Sequence, residues 1–365
     1  EGREDSLEAL EALSSGESHP GLTMGEARER GHVVFVFPGQ GSQWVAMGRE
    51  LLEQSEVFKD SIIACDEALA PLTGWSLASV LRGDEGGEVP SLERVDVIQP
   101  ALFAMTVGLS ALWRSMGVTP AAVVGHSQGE VGAAVVSGAL SLEDAARVVV
   151  ARSQLVRKIS GRGGMLVVEL PVADVEARID SYEGALSIAV VNTATSTVVS
   201  GDTEALETLK QSLDNEDVYC RQVNVDYASH SVHVDEIVPE LLEELSSISP
   251  KDTHTPFYST VTGRVMEGLE LDATYWCRNL REPVRLDNAL EALLSNGMGV
   301  FVEVSAHPVL AMPLTTVCSE VNGLVVGSLK RDEGSLQQVY KNLATLHTSG
   351  YELDWGSFFA ALDAQ

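Results

Sequence analysis

The stretch Gly125-His126-Ser127-Gln128-Gly129-Glu130 constrains this chain more than any other. Ala121-Ala122-Val123-Val124 before it reads as a short buried strand, and the Ala-, Val- and Gly-rich residues 130–137 after it read as a tightly packed helix. A Ser between two glycines at such a junction is a nucleophile-elbow pattern. Cβ atoms at the glycine positions would crowd the sharp turn. The turn lifts the hydroxyl clear of the sheet and aims the first helical amides at any oxyanion formed there. The implied chemistry is acyl transfer through an acyl-Ser127 intermediate. The plain alternative is a tight strand-to-helix turn with an unreactive Ser.

The surrounding pattern alternates strands and helices. Residues 32–37 form a buried strand that runs into Pro38-Gly39-Gln40-Gly41-Ser42-Gln43-Trp44. Trp44 stands where a dinucleotide-binding loop needs its third Gly, and no Gly-Lys-Ser/Thr follows, so this loop presents backbone amides without a nucleotide fingerprint. Helices are expected over 48–69, 99–117 (Pro100 in its first turn), 142–159 (N-capped by Ser141) and 237–245, with a surface loop over 76–90. Between 165 and 225 the order becomes strand, helix, two strands, helix, strand, the last strand spanning 217–225. That is the split βαβ arrangement of a ferredoxin-like unit. The expected fold class is α/β: a large α/β-hydrolase-like subdomain with an inserted small ferredoxin-like subdomain. The expected divisions are 1–31, 32–161, 162–226, 227–325 and 326–365, the third being the insert and the first and last linker-like. The tail has little core of its own and must pack against this domain or a neighbour.

Composition narrows the partners. With 24 basic against 53 acidic residues the formal charge is −29, which argues against a nucleic-acid partner or an anionic membrane surface. Cys65, Cys220, Cys277 and Cys318 lack metal-ligand spacing, no signal peptide is visible, and no run approaches ~18 apolar residues without a charge. The expectation is a cytoplasmic protein with reduced thiols and no metal. The first residue is Glu, so the chain is expected to be a piece of something longer.

An activated Ser needs a base within hydrogen-bond reach. His126 is adjacent, but its side chain should diverge at a sharp turn. His230, in Asp226-Tyr227-Ala228-Ser229-His230-Ser231 where the insert ends, ranks first, with His233 and His307 as competitors. Arg152, in the helix after the elbow, reads either as a fork for a substrate carboxylate or as a salt-bridging surface residue. Asp202, Asp226 and Asp235 are available as a third acid and none is singled out.

Three motifs, Phe37-Pro38-Gly39-Gln40-Gly41-Ser42-Gln43, Gly125-His126-Ser127-Gln128-Gly129-Glu130 and Tyr227-Ala228-Ser229-His230, together resemble the acyltransferase domain of a modular type I polyketide synthase. The resemblance covers about residues 32–325, and the ends resemble the linkers that join such a domain to a ketosynthase. It implies ping-pong transfer from acyl-coenzyme A to the phosphopantetheine thiol of an acyl carrier protein, with no permanently bound cofactor. Ser127 would be the nucleophile and His230 the base, oriented by a backbone carbonyl from the 279–285 region. Backbone amides of Gln40 and Gln128 would form the oxyanion hole, and Arg152 would bind the malonyl-type carboxylate. Tyr227 and Ser229 in place of His and Phe, Gln128 in place of Val or Ile, and Arg94-Val95-Asp96-Val97-Ile98-Gln99 resemble the methylmalonyl-selective subgroup. Asn192-Thr193-Ala194 departs from the usual Asn-Gly-Pro and puts the shape of the cleft rim in doubt. Arg278, Arg281 and Arg285 are candidates for a basic patch facing an acidic carrier protein. A serine hydrolase or thioesterase, a silent docking domain, and a stand-alone malonyl transferase of fatty acid synthesis are the rivals.

Overall fold

A computed structural model describes residues 3–86, 89–356 and 358–359. Gly87 and Glu88 of the expected 76–90 loop, the first two residues, and residues 357 and 360–365 of the expected tail lie outside the described residues. Among the described residues eleven strands follow in chain order: β1 (His32–Phe37), β2 (Ala122–Gly125), β3 (Gly163–Val168), β4 (Leu186–Thr193), β5 (Ser196–Asp202), β6 (Cys220–Gln222), β7 (Phe257–Ser259), β8 (Arg264–Met266), β9 (Val284–Arg285), β10 (Met298–Glu303) and β11 (Leu324–Gly327).

The larger sheet has the order β11-β10-β1-β2-β7-β8 and is parallel except at the β7–β8 hairpin. Its inner strands are apolar on both faces, as a helix-covered parallel sheet requires. From β1 the chain crosses to β2 on one side, while β10 pairs on the other. The topological switch point, where open α/β sheets bind ligands, therefore lies between β1 and β10, next to the carboxyl ends of β1 and β2. Phe37 pairs with Gly125 at the ends of these two strands. This register puts the Gly39-Gln40-Gly41 loop beside His126 and Ser127.

The smaller sheet has the order β6-β3-β5-β4-β9. Its first four strands are antiparallel and carry helices Val172–Ile179 and Thr203–Asn215, whose Val175, Ile179, Leu206, Leu209 and Leu213 close a separate core over β3, β4 and β5. This is the expected ferredoxin-like insert. Its fifth strand, β9, comes from outside the inserted segment and pairs in parallel with β4, tying the insert to the large subdomain.

Several elements differ from the sequence reading. Residues 76–90 include a helix, Leu77–Arg82, capped by Ser76 and ended by Gly83 at φ +66°; Leu77, Val80 and Leu81 are buried by it. The glycines that suggested a loop all lie at or beyond its end. The 48–69 helix is two helices, Arg49–Gln54 and Glu56–Thr73, because Ser55 turns extended and caps the second through the Phe58 amide. The 99–117 helix begins a turn earlier, at Val95, so Pro100 lies inside it and not in its first turn. The expected 217–225 strand is reduced to Cys220–Gln222, since Asp217 sits at φ +55° and breaks the run. Strand β11 runs across the expected 325/326 boundary.

Helix Val95–Ser115 is long and apolar enough to cross a membrane by length and composition alone. Here it is mostly buried and serves as the central core helix, packing Ala101, Met105, Leu109 and Trp113 into the large core. Full burial of a Met or Leu side chain contributes about 1.5–3 kcal/mol. The tail packs on this domain: helix Leu336–Thr348 buries Val339, Leu343 and Leu346 in the same core. The preceding linker-like segment lies against it, with Arg28 N–H donating to Ser349 O at 3.1 Å and Arg30 Nη1 to Asn322 O at 2.6 Å.

Candidate active site

The elbow is as tight as its glycines require. Ser127 adopts φ +54°, a left-handed conformation that costs a non-Gly residue on the order of 1–3 kcal/mol. A Cβ on Gly125 would fall 2.2 Å from the Glu130 nitrogen, and one on Gly129 would fall 2.0 Å from Phe37 O. His126 N–H donates to Phe37 O at 2.8 Å, which locks the elbow to β1. Among the described residues, no protein acceptor receives the backbone N–H of Gln128 or of Gln40. Both lie on loops that leave adjacent strands, an arrangement able to hold an oxyanion.

Of the competing histidines, the fold brings His230 to the serine. His230 Nε2 lies 2.9 Å from Ser127 Oγ. Its Nδ1 lies 2.8 Å from Glu282 O. A carbonyl only accepts, so Nδ1 carries the hydrogen and Nε2 presents its lone pair to the serine hydroxyl. His230 also sits in the left-handed region, at φ +59°, with its N–H donating to Leu280 O at 2.9 Å. Burial first, and the Arg152 cation second, push its pKa down to about 3. His126 turns the other way, to Asn192 Oδ1 at 3.2 Å, and burial takes its pKa down to about 4. His233 is engaged by Asp202 at 2.6 Å, and His307 accepts from Arg331 N–H at 3.2 Å. Neither touches Ser127. Asp235 pairs with Arg281, so of the three candidate acids none orients His230; the Glu282 carbonyl does.

Arg152 is 3% exposed, which excludes the snorkelling surface reading. Its Nη2 donates to Ser127 Oγ at 2.9 Å and its Nη1 to Asn279 Oδ1. Its Nε is buried with no partner, and among the described residues no carboxylate pairs with it. Burial lowers its pKa to about 10, which still leaves it cationic near neutrality. A buried guanidinium with spare donors beside a nucleophile is a ready receptor for an anionic group.

Tyr227 and Ser229 are both buried, and Tyr227 OH donates to Gln40 Oε1 at 2.9 Å. Gln128 Oε1 and Gln99 Oε1 are buried without partners. A cleft of about 830 Å³ opens beside this group, lined by Gln40, Trp44, Arg94, Ile98, Asn224 and Tyr227. Arg94 and Arg157 share Asp96, which anchors the start of the core helix at the cleft wall. The Thr193-Ala194 departure falls at the β4–β5 turn, where Thr193 pairs with Ser196 and keeps Asn192 on His126.

The proposed basic patch is not a free one. Arg278 pairs with Glu282 at 2.7 Å, Arg281 with Asp235 at 2.6 Å and Arg285 with Asp287 at 2.7 Å. Each of the three arginines is thus already paired with a neighbouring carboxylate. Sequence reading also missed the buried network beneath the elbow: Glu130, Thr260, Tyr275 and Asn279. Its one legible signal was Tyr275 and Asn279 at i,i+4, which share a helical face. Among the described residues no cluster of His, Cys, Asp or Glu could hold a metal ion.

Comparison with known proteins identifies the family. Residues 34–353 match the family described as the acyl transferase domain. The chain is 50% identical over 356 residues to polyketide synthase GfsB of Streptomyces halstedii, covering 97% of this chain and 6% of that protein. It is 47% identical over 362 residues to erythronolide synthase EryA2 of Saccharopolyspora erythraea, covering 97% and 10%. The chain thus spans a tenth or less of the length of these two relatives. The solved acyltransferase domain from module 8 of the salinomycin polyketide synthase is 46% identical, with a TM-score of 0.94, covering 98% of this chain and 84% of that one. The chain belongs to the acyl transferase domain family, as an acyltransferase domain of the modular polyketide synthase type.

Proposed function

We propose that this domain transfers a methylmalonyl unit from coenzyme A, through an ester on Ser127, to the phosphopantetheine thiol of an acyl carrier protein in a cytoplasmic polyketide synthase. The observation that carries the reading is Ser127 Oγ held 2.9 Å from both His230 Nε2 and Arg152 Nη2. One contact supplies a base and the other an anion receptor.

In the first half-reaction the Ser127 hydroxyl attacks the thioester carbonyl while its proton passes to His230 Nε2. The amides of Gln40 and Gln128 hold the resulting oxyanion. Collapse breaks the carbon–sulfur bond, and His230 returns its proton to the departing coenzyme A thiol. In the second half-reaction His230 takes the proton of the carrier's thiol, the sulfur attacks the Ser127 ester, and the proton returns to Ser127 Oγ. Arg152 binds the free carboxylate of the acyl group throughout and thereby orients its reactive carbonyl. The partners are the carrier protein and a neighbouring ketosynthase reached through the linker-like ends.

The α-substituent is read from Ser229. A Phe at this position would fill space beside His230, whereas Ser leaves room for a methyl group, and Tyr227, tied to Gln40, closes the far side. One methyl in an apolar pocket is worth about 1–3 kcal/mol, or roughly 10–200-fold. In a competition between methylmalonyl- and malonyl-coenzyme A read by intact-protein mass, the methylmalonyl ester should predominate. Tyr227→His with Ser229→Phe should narrow or invert the ratio, mainly by loss of methylmalonyl. A wild-type preference for malonyl would overturn the substrate assignment.

The depressed pKa of His230 gives a second expectation. With a pKa of about 3 the imidazole stays neutral, and competent as a base, throughout the physiological range. The rate of Ser127 acylation should be flat in acid through the ordinary imidazole pKa of about 6.5. It should fall only as pH approaches the lowered value. A protonation limb centred near the ordinary value would mean that His230 is far more solvated than its surroundings indicate.

A further inference from the structure

Beneath the elbow, Glu130 is wholly buried. Its Oε1 accepts from Thr260 N–H at 2.6 Å, and its Oε2 accepts from Tyr275 OH at 2.6 Å and Asn279 Nδ2 at 2.8 Å. Asn279 is 1% exposed and lies between the Arg152 guanidinium and the Glu130 carboxyl, whose pKa burial raises. Its Nδ2 donates to Glu130 and to Ser127 O (3.1 Å), while its Oδ1 accepts from Arg152 Nη1. The reverse amide orientation would set NH₂ against the guanidinium and oxygen against a carboxylate and a carbonyl, so the donor and acceptor count fixes it.

We infer that Asn279 is a positioning residue for substrate selection: it holds Arg152 through an amide while taking up Glu130 on its other side, leaving the guanidinium for the carboxylate of the incoming acyl group. The inference rests on the reading of Arg152 given above. A carboxylate at position 279 would pair with Arg152 directly and compete with the substrate. An apolar side chain would leave Arg152 Nη1 and Glu130 Oε2 short of a partner and release the fork from its aim. The Ser–His pair depends on Asn279 much less. Ser127 O keeps a second donor, the Glu130 N–H at 3.1 Å, and His230 is held by Glu282 O and Leu280 O.

The test compares Ser127 acylation by methylmalonyl-coenzyme A and by propionyl-coenzyme A, which lacks the carboxylate. The proteins are wild type, Arg152→Ala, Asn279→Ala, Asn279→Asp, and the double variant Asn279→Asp with Glu130→Gln. The double variant moves the buried carboxyl group from position 130 to position 279, beside Arg152, and keeps the number of acidic side chains unchanged. Thermal unfolding of each variant establishes that it is folded. Folded Asn279 variants should raise KM for methylmalonyl-coenzyme A roughly 10–100-fold, the loss expected for a hydrogen bond to a charged group. KM and kcat for propionyl-coenzyme A should stay within about threefold, the scatter of context effects. Equal losses on both substrates, no loss on either, or failure of every Asn279 variant to fold would overturn the inference. If Arg152→Ala itself fails to separate the two substrates, the reading of Arg152 is wrong. If it separates them and the Asn279 variants do not, only the role of Asn279 falls.

Discussion

Replacing Arg152 by Ala should lower the kcat/KM for methylmalonyl-coenzyme A by roughly 30- to 5,000-fold, the equivalent of about 2–5 kcal/mol for losing one partner of a desolvated charge pair. Acetyl- and propionyl-coenzyme A should be spared or improved. The sign follows from the resting contacts of the guanidinium. Arg152 donates to Ser127 Oγ, which weakens the oxygen as a nucleophile, and contributes to the depression of His230 as a base. An uncarboxylated substrate gains nothing from the cation and meets a serine that it restrains. A carboxylated one draws the guanidinium toward itself and frees the hydroxyl. Initial rates on both substrate classes check this. Equal losses on both would make Arg152 part of the scaffold.

Replacing His230 by Ala should slow both half-reactions, each by roughly 10²–10⁴-fold, the usual worth of a positioned general base. Loss in both is the specific claim, because one imidazole serves the departing coenzyme A thiol and the arriving carrier thiol. His230→Ala should therefore acylate slowly, and any ester that forms should persist when carrier protein is added. Single-turnover acylation, followed by a chase with carrier protein carrying its phosphopantetheine, separates the steps. A normal chase rate in this variant would place the second base elsewhere. The His230 N–H bond to Leu280 O is a backbone contact that the substitution keeps, so the variant should remain folded, and its thermal unfolding checks this.

The large fold was legible because its signals are local. Buried parallel strands read as short apolar runs, and the switch to strand-helix-strand-strand-helix-strand marked the insert. The elbow was legible because its glycines answer to contacts within a few residues or with the adjacent strand. His230 could be ranked from its place at the junction, but spacing alone did not separate it from His233. What separates them is tertiary: the Asp202 carboxylate engages one, and the Glu282 carbonyl orients the other. Arg152 shows the same limit. An Arg among Val, Ala and Ser on a helix reads as a surface residue until the fold closes Asn279 and Ser127 over it. The buried network at Glu130 draws on residues up to 149 positions apart, a spacing with no periodic trace. Helix Leu77–Arg82 was missed for the opposite reason, being so short that the glycines beside it dominated the composition.

Intact-protein mass spectrometry with peptide mapping tests the central claim most directly. The domain is mixed with methylmalonyl-coenzyme A and then chased with phosphopantetheinylated carrier protein. A single methylmalonyl adduct should form on Ser127, be absent from Ser127→Ala, and move to the carrier thiol on chase faster than water removes it. No adduct on Ser127, or loss of the adduct at the same rate with and without carrier protein, would contradict the account.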